Sequence, residues 1–138
     1  MITTLVVDDE IDMRLLVRTV LELAENGFHV VGEAEDGIEA LAAYAGLEPP
    51  PTPDVVILDN RIPKLSGLMT AEKMLSIRPD QIVILYSAFL DDDVRRAAEA
   101  IGIAECVSKS ELSALPGIIK RLVSEARAHD DAGGQPTN

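Results

Sequence analysis

Four short apolar runs in this chain each end on a side chain able to do ionic chemistry. Leu5-Val6-Val7 runs into Asp8-Asp9-Glu10, and Val55-Val56-Ile57-Leu58 runs into Asp59. Ile82-Val83-Ile84-Leu85-Tyr86 runs into Ser87, and Cys106-Val107-Ser108 runs into Lys109. In a parallel sheet with alternating helices the carboxyl ends of the strands share one edge, where open α/β folds bind ligands. Three carboxylates, a hydroxyl and an ammonium should therefore converge in one shallow cleft. Taken singly, each feature has a plainer reading. The acidic run caps a helix, the serine sits in a turn, and the lysine is a solvated surface residue. The agreement of four separate segments favours the cleft.

Carboxylates this close repel one another unless a cation joins them. Mg²⁺ is suited to the role, because it takes oxygen ligands, keeps several waters and often uses one or two carboxylates plus phosphate oxygens. A transition-metal site is poorly provided for: His29 and His129 are far apart and Cys106 stands alone. Asp59 is a candidate nucleophile, since carboxylates form acyl-phosphate intermediates. In phosphoryl transfer the protein mainly positions groups and neutralises charge. Mg²⁺ on one side, Lys109 on the other and the Ser87 hydroxyl on a phosphate oxygen would supply that.

The elements that must position these residues alternate five times. Strand-type runs at Thr3–Val7, His29–Glu33, Val55–Leu58, Ile82–Tyr86 and Ala104–Val107 are rich in Val and Ile and mostly lack polar alternation. Such runs suit strands covered on both faces. Between them, Ile11–Glu25 carries Met13, Leu16, Val17, Val20 and Leu23 near helical spacing, with Asn26-Gly27 as a stop. Asp36–Tyr44 reads as a helix with Ile38, Leu41 and Ala42 inward, and Ser66–Ile77 as another, ended before Pro79. Asp91–Ile101 opens on three aspartates, where the helix dipole favours anions. Pro116–Ala128 starts on a proline that suits a first turn and has Ile118, Ile119, Leu122, Val123 and Ala126 as its apolar stripe. Gly46–Pro53, with four prolines, reads as a stiff loop. The alternation predicts an α/β fold, a five-stranded parallel sheet with helices on both faces and right-handed crossovers. Residues 1–128 form one domain, and 129–138 read as a polar, disordered tail or the start of a linker.

The 138 residues fit one domain with an aliphatic core, 47% hydrophobic and 3% aromatic. A net charge of −12 repels nucleic acid and anionic lipid but not a divalent cation. No run reaches the ~18 apolar residues of a membrane span, and no signal-peptide pattern follows Met1. The single cysteine allows no internal disulfide. These features favour a cytoplasmic protein.

The segments Val6-Val7-Asp8-Asp9-Glu10, Leu58-Asp59-Asn60-Arg61-Ile62-Pro63-Lys64-Leu65-Ser66-Gly67, Leu85-Tyr86-Ser87-Ala88 and Val107-Ser108-Lys109 stand in an order and spacing that resemble the receiver domain of bacterial two-component response regulators. The likeness covers residues 2–127. It implies a doubly wound, flavodoxin-like sheet of order 2-1-3-4-5 with five helices. It implies that Asp59 accepts a phosphoryl group from a sensor histidine kinase, a phosphotransfer protein or a small phosphodonor. Asp8, Asp9 and Asp59 then arrange Mg²⁺, with Asp9 and Asp59 as direct ligands and the backbone carbonyl of Arg61 as a further one. Ser87 matches the switch hydroxyl and Lys109 the lysine that pairs with the phosphoryl group. Pro63 and Gly67 match the turn that shapes the loop after the third strand.

Two positions depart from the family pattern. Nineteen residues after Ser87, where an aromatic ring usually reports the switch, stands Cys106. Tyr86 does not take over that role, because its side chain should point to the opposite side of its strand. Ser110 follows Lys109 where many receivers carry a cis proline, so no cis bond is expected and the loop should be looser. Arg61 and Phe89 flank the phosphoacceptor and the switch residue. Large side chains there imply a shielded acyl phosphate and slow autodephosphorylation.

The resemblance implies a switch whose surface around the fourth helix, fifth strand and fifth helix binds a partner or pairs with a second copy. Arg95, Arg96, Glu99, Lys120 and Arg121 are its candidate ion-pairing residues. The alternative is the front half of a DNA-binding regulator, with DNA contacts supplied by residues outside this chain. Other readings fare worse. A phosphatase with an aspartyl nucleophile needs a second aspartate where Arg61 stands. A nucleotide-binding module needs a Gly-rich loop where Asp8-Asp9-Glu10 stands. A degenerate scaffold would not need the complete set of Asp8, Asp9, Asp59, Ser87 and Lys109. An enzyme acting on external substrates is not expected.

Overall fold

The computed structural model describes residues 1–24, 27–46 and 52–133. Five strands, β1 (Ile2–Val7), β2 (Phe28–Ala34), β3 (Val55–Asp59), β4 (Ile82–Ser87) and β5 (Glu105–Ser108), form one parallel sheet in the order β2-β1-β3-β4-β5. The helices are α1 (Ile11–Leu23), α2 (Gly37–Gly46), α3 (Gly67–Ile77), α4 (Asp92–Ile101) and α5 (Leu115–Gly133). This is the expected doubly wound, flavodoxin-like arrangement.

Strand alternation splits the core into two layers. Leu5, Val7, Val56, Leu58, Val83 and Leu85 pack with Ala40, Tyr44, Met74 and Ala98 from α2, α3 and α4. Val6, Ile57, Ile84, Tyr86 and Val107 pack with Val17, Leu21, Leu115 and Ile119 from α1 and α5. Both faces of β1, β3 and β4 are buried, which is why these strands read as unbroken apolar runs.

The helices correct several details of the sequence reading. In α1 the buried residues are Val17 and Leu21, with Met13 packed beside them, whereas Leu16 and Leu23 are exposed. Leucines lie nearly all around this helix, so hydrophobicity alone does not mark its inner face. In α2 the inner residues are Gly37, Ala40 and Tyr44, with Leu41 packed against them, while Ile38 and Ala42 face outward. The contact of Gly37 with Leu65 and Thr70 sets that phase. Helix α5 continues to Gly133 rather than ending at Ala128, because no helix breaker intervenes before Gly133 itself. The segment after β5 is a 3-10 helix, Lys109–Ala114, with the Ser108 hydroxyl accepting from the Ser110 N–H at its start and Leu112 buried. The Asn26 part of the expected α1 stop, residues 47–51 of the proline-rich loop and residues 134–138 of the tail lie outside the described residues.

Candidate functional site

The parallel register assembles the site. Val7 faces Leu58, and Asp59 faces Tyr86, so the residues ending β1, β3 and β4 form one row across the sheet. A cleft of about 190 Å³ opens at that edge, lined by Asp9, Asp59, Arg61, Ser87, Phe89 and Lys109, among others. The sequence-derived constellation is therefore brought together, apart from Asp8, which lies behind the cleft at 0% exposure.

Lys109 ties the row together. Its Nζ donates to Asp59 Oδ2 at 3.0 Å and to Asp8 Oδ2 at 3.1 Å. Burial opposes the ammonium charge, but the two carboxylates more than offset this, and the pKa of Lys109 is raised. Asp59, 3% exposed, accepts from the Arg61 N–H through Oδ1 at 3.2 Å. Burial pushes its carboxyl above the usual range despite Lys109 and that N–H, and Asp8 adds to the rise. Asp59 is thus a buried carboxylate that faces a cleft and is paired with the Lys109 ammonium.

The other acidic residues differ sharply from it. Asp8 is used up internally: Oδ1 accepts from the Glu10 N–H at 2.9 Å, and Oδ2 accepts from Lys109 and from the Tyr86 hydroxyl. Asp9 is exposed and, among the described residues, makes no hydrogen bond or ion pair. Oxygens of Asp8, Asp9 and Glu10 lie within 4.8 Å of one another. Asp59 is not in that group but lines the same cleft as Asp9 and Glu10, and this all-oxygen lining, with Asp9 unengaged, fits Mg²⁺.

Loops on either side are braced. After β3, Pro63 O accepts from the N–H groups of Gly37 (3.2 Å) and Leu65 (2.8 Å), which pins the loop to the start of α2. Lys64 takes a left-handed backbone (φ 72°), and its Nζ lies 3.3 Å from Asp36 Oδ2. Asp36 also caps α2 by accepting from the Glu39 N–H at 2.7 Å. That N–H, with Lys64 assisting against burial, holds the Asp36 carboxyl below its usual range. The Gly67 N–H donates to Asn60 O at 2.9 Å, and α3 begins directly against the backbone of Asp59 and Asn60. Pro63 and Gly67 thus each hold a backbone contact that fixes the ends of this loop.

On the β4 side, Ser87 is buried and its Oγ accepts from the Phe89 N–H at 3.2 Å. Phe89 is 64% exposed, and the Arg61 guanidinium stacks over its ring, 4.7 Å from the centroid. Cys106 is half-buried against the α2–α4 side of the core, and burial pushes its thiol up.

Two participants escaped the sequence reading. Arg14, one turn into α1, donates to Asp8 O at 2.6 Å and to Glu33 Oε1 at 3.2 Å, steadying the β1 end. Tyr86 does point away from Cys106, as expected, yet its hydroxyl reaches across to Asp8. Strand alternation was the available signal, because Asp8, Asp59 and Tyr86 share one face of adjacent strands. Burial, followed by the Asp8 carboxylate, raises the pKa of this phenol far above its usual value, so it acts as a donor.

A family model described as the response regulator receiver domain matches residues 4–120, and the chain belongs to that family. It is 40% identical over 106 residues to a protein-glutamate methylesterase/protein-glutamine glutaminase of Agrobacterium fabrum, covering 76% of this chain and 29% of that protein. The chain thus spans under a third of that relative's length. It is 34% identical over 88 residues to the chemotaxis protein CheY of Listeria monocytogenes, covering 64% of this chain and 69% of that protein. The fold matches CheY in the CheX-CheY-BeF3-Mg+2 complex from Borrelia burgdorferi with a TM-score of 0.77 at 24% identity, covering 89% of this chain and 87% of that one. Among the described residues, no helix is long and apolar enough to cross a membrane.

Proposed function

We propose that this receiver is a cytoplasmic protein that accepts a phosphoryl group on Asp59, in a Mg²⁺-dependent reaction, from a sensor histidine kinase or phosphotransfer protein. The observation that carries this reading is the buried Asp59 carboxylate, open to a cleft and held 3.0 Å from the Lys109 ammonium. In the transfer, an Asp59 oxygen forms a bond to phosphorus as the bond from phosphorus to the donor atom breaks, and the electron pair leaves with the donor. Lys109 moves from carboxylate to phosphoryl oxygen and neutralises its charge. The Ser87 hydroxyl turns toward another phosphoryl oxygen. Asp9, Asp59 and the Arg61 carbonyl would hold Mg²⁺, with Asp8 behind them. Bound there, the ion supplies charge neutralisation on the transferring oxygens. The structural relative bound to BeF3 and Mg+2 supports this assignment.

The phosphorylated state would bias the surface formed by α4, β5 and α5 toward a partner or a second copy. Two of its arginines are paired within the chain: Arg121 with Glu105 at 3.1 Å and Arg96 with Asp93 at 2.6 Å. Re-pairing them across an interface would exchange one exposed ion pair for another.

Incubation with Mg²⁺ and acetyl phosphate, followed by intact mass and size measurement, tests the proposal. The expected result is one added phosphoryl group, absent from Asp59→Asn, together with a change in assembly or shape. Equal incorporation into Asp59→Asn, or none into either protein, would overturn the assignment.

A further inference from the structure

Tyr86 lies outside the constellation described above yet touches two of its members. Its ring is 0% exposed, packed in the core layer shared by α1 and α5. Its hydroxyl donates to Asp8 Oδ2, and Lys109 Nζ stands 5.0 Å from its ring centroid. One side chain therefore contacts a buried carboxylate with its polar end and the ammonium paired to Asp59 with its face.

The acceptor count on Asp8 shows why this matters. A carboxylate offers about four acceptor positions. The Glu10 N–H occupies one on Oδ1, and Tyr86 and Lys109 share Oδ2. Lys109 also serves Asp59, so its commitment to Asp8 is divided. When Lys109 turns to an incoming phosphoryl group, Tyr86 is the donor left on Oδ2.

We propose that Tyr86 is a positioning residue of the phosphorylation site, whose hydroxyl fixes the Asp8 carboxylate behind the cation-binding cleft and releases Lys109 for the phosphoryl group. The inference rests on the reading of the cleft as a Mg²⁺-dependent phosphoacceptor site. Without the hydroxyl, Oδ2 has Lys109 alone. The lysine is then drawn toward Asp8 and away from Asp59, and once it leaves for the phosphoryl group only the Glu10 N–H holds the Asp8 carboxylate. Partners that orient metal-site carboxylates in this way typically change metal affinity by about 10- to 100-fold when removed.

Tyr86→Phe keeps the ring and its packing while deleting the donor. Mg²⁺ affinity of the unphosphorylated protein is measured by isothermal titration calorimetry, beside thermal unfolding without divalent cation. The expected result is a Mg²⁺ dissociation constant about tenfold higher, and an acetyl phosphate reaction slowed at low Mg²⁺ but restored at saturating Mg²⁺. A variant that melts earlier yet binds Mg²⁺ like the wild type has lost only a stabilising hydrogen bond, and the proposal fails.

Asp8→Asn provides the second arm. In that background the hydroxyl has no carboxylate to orient, so adding Tyr86→Phe should change Mg²⁺ affinity by less than about twofold, well below the effect of removing an orienting partner. Fully additive losses would overturn the proposal. If the wild type binds Mg²⁺ and takes up phosphate while Tyr86→Phe does so equally well, only the positioning role falls. If the wild type does neither, the underlying reading falls and takes this role with it.

Discussion

Placing an alanine at position 67 sets a methyl group against the backbone that carries the phosphoacceptor. A Cβ built there would lie 2.6 Å from Asn60 Cα and 2.9 Å from Asp59 C, and closer still to Asp59 O. None of these atoms belongs to a side chain that could rotate away. Either α3 lifts by several tenths of an ångström or the end of β3 is pushed toward the cleft. Two effects compete. Alanine is the better helix former by about 0.5–1 kcal/mol, whereas overpacking a closed site costs about 1–3 kcal/mol. Because the obstacle is backbone, the second wins, and Gly67→Ala should lose about 1–2 kcal/mol in urea unfolding. Misplacing a reacting group by about 1 Å costs on the order of 100-fold. The smaller shift here should slow phosphoryl uptake from acetyl phosphate roughly tenfold. Gly117→Ala is the matched control, since a methyl group added at Gly117 meets no neighbouring atom within 4 Å among the described residues. It should be neutral or stabilise α5 by up to about 1 kcal/mol. Wild-type stability and uptake in Gly67→Ala would refute the close-approach argument.

Other perturbations follow from the same contacts. The Arg61–Phe89 stack covers the rim beside Asp59, so Arg61→Ala and Phe89→Ala should each shorten the acyl-phosphate half-life several-fold, and unchanged half-lives would remove the shielding role. Lys109 has a raised pKa, so the stability its ion pairs contribute is whole below the ordinary 10.5 and fades as pH rises through the higher folded value. The gap in unfolding free energy between wild type and Lys109→Met should therefore hold from neutral pH upward and close only in strong alkali. Asp36 has the opposite sign: its lowered pKa gives a contribution present above the ordinary 3.8 and lost as pH falls through the lower folded value. Asp36→Asn should thus flatten the acid limb of a pH–stability curve, and an unaltered limb would contradict the Glu39 and Lys64 contacts.

Much of the cleft was legible because buried parallel strands leave a plain trace. Each apolar run stops where the sheet edge meets water, and the first polar residue marks that edge, as with Val7–Asp8 and Leu58–Asp59. Helix phase was less legible. The leucines of α1 give no preferred face, and the packing of Gly37 against Leu65 and Thr70 is a contact between segments distant in sequence. The left-handed Lys64 lies in a loop whose ion pair to Asp36 joins segments distant in sequence, and the 3-10 turn after β5 begins on a Ser108 cap that composition does not reveal. Strand alternation gives the direction of Tyr86, away from Cys106, but not its reach, and the length of the side chain is what carries the hydroxyl past β3 to Asp8.

The chain has no tryptophan and only two tyrosines, so its near-ultraviolet emission comes from two phenols. Tyr44 donates to Gln81 Oε1 at 2.8 Å, at the start of β4 and thus at the opposite end of the sheet. Tyr86 donates to Asp8, one strand away from the phosphoacceptor. Emission from a phenol responds to a carboxylate acceptor, so adding Mg²⁺ and acetyl phosphate should change the Tyr86 signal while leaving that of Tyr44 unchanged, with no dye or engineered fluorophore needed.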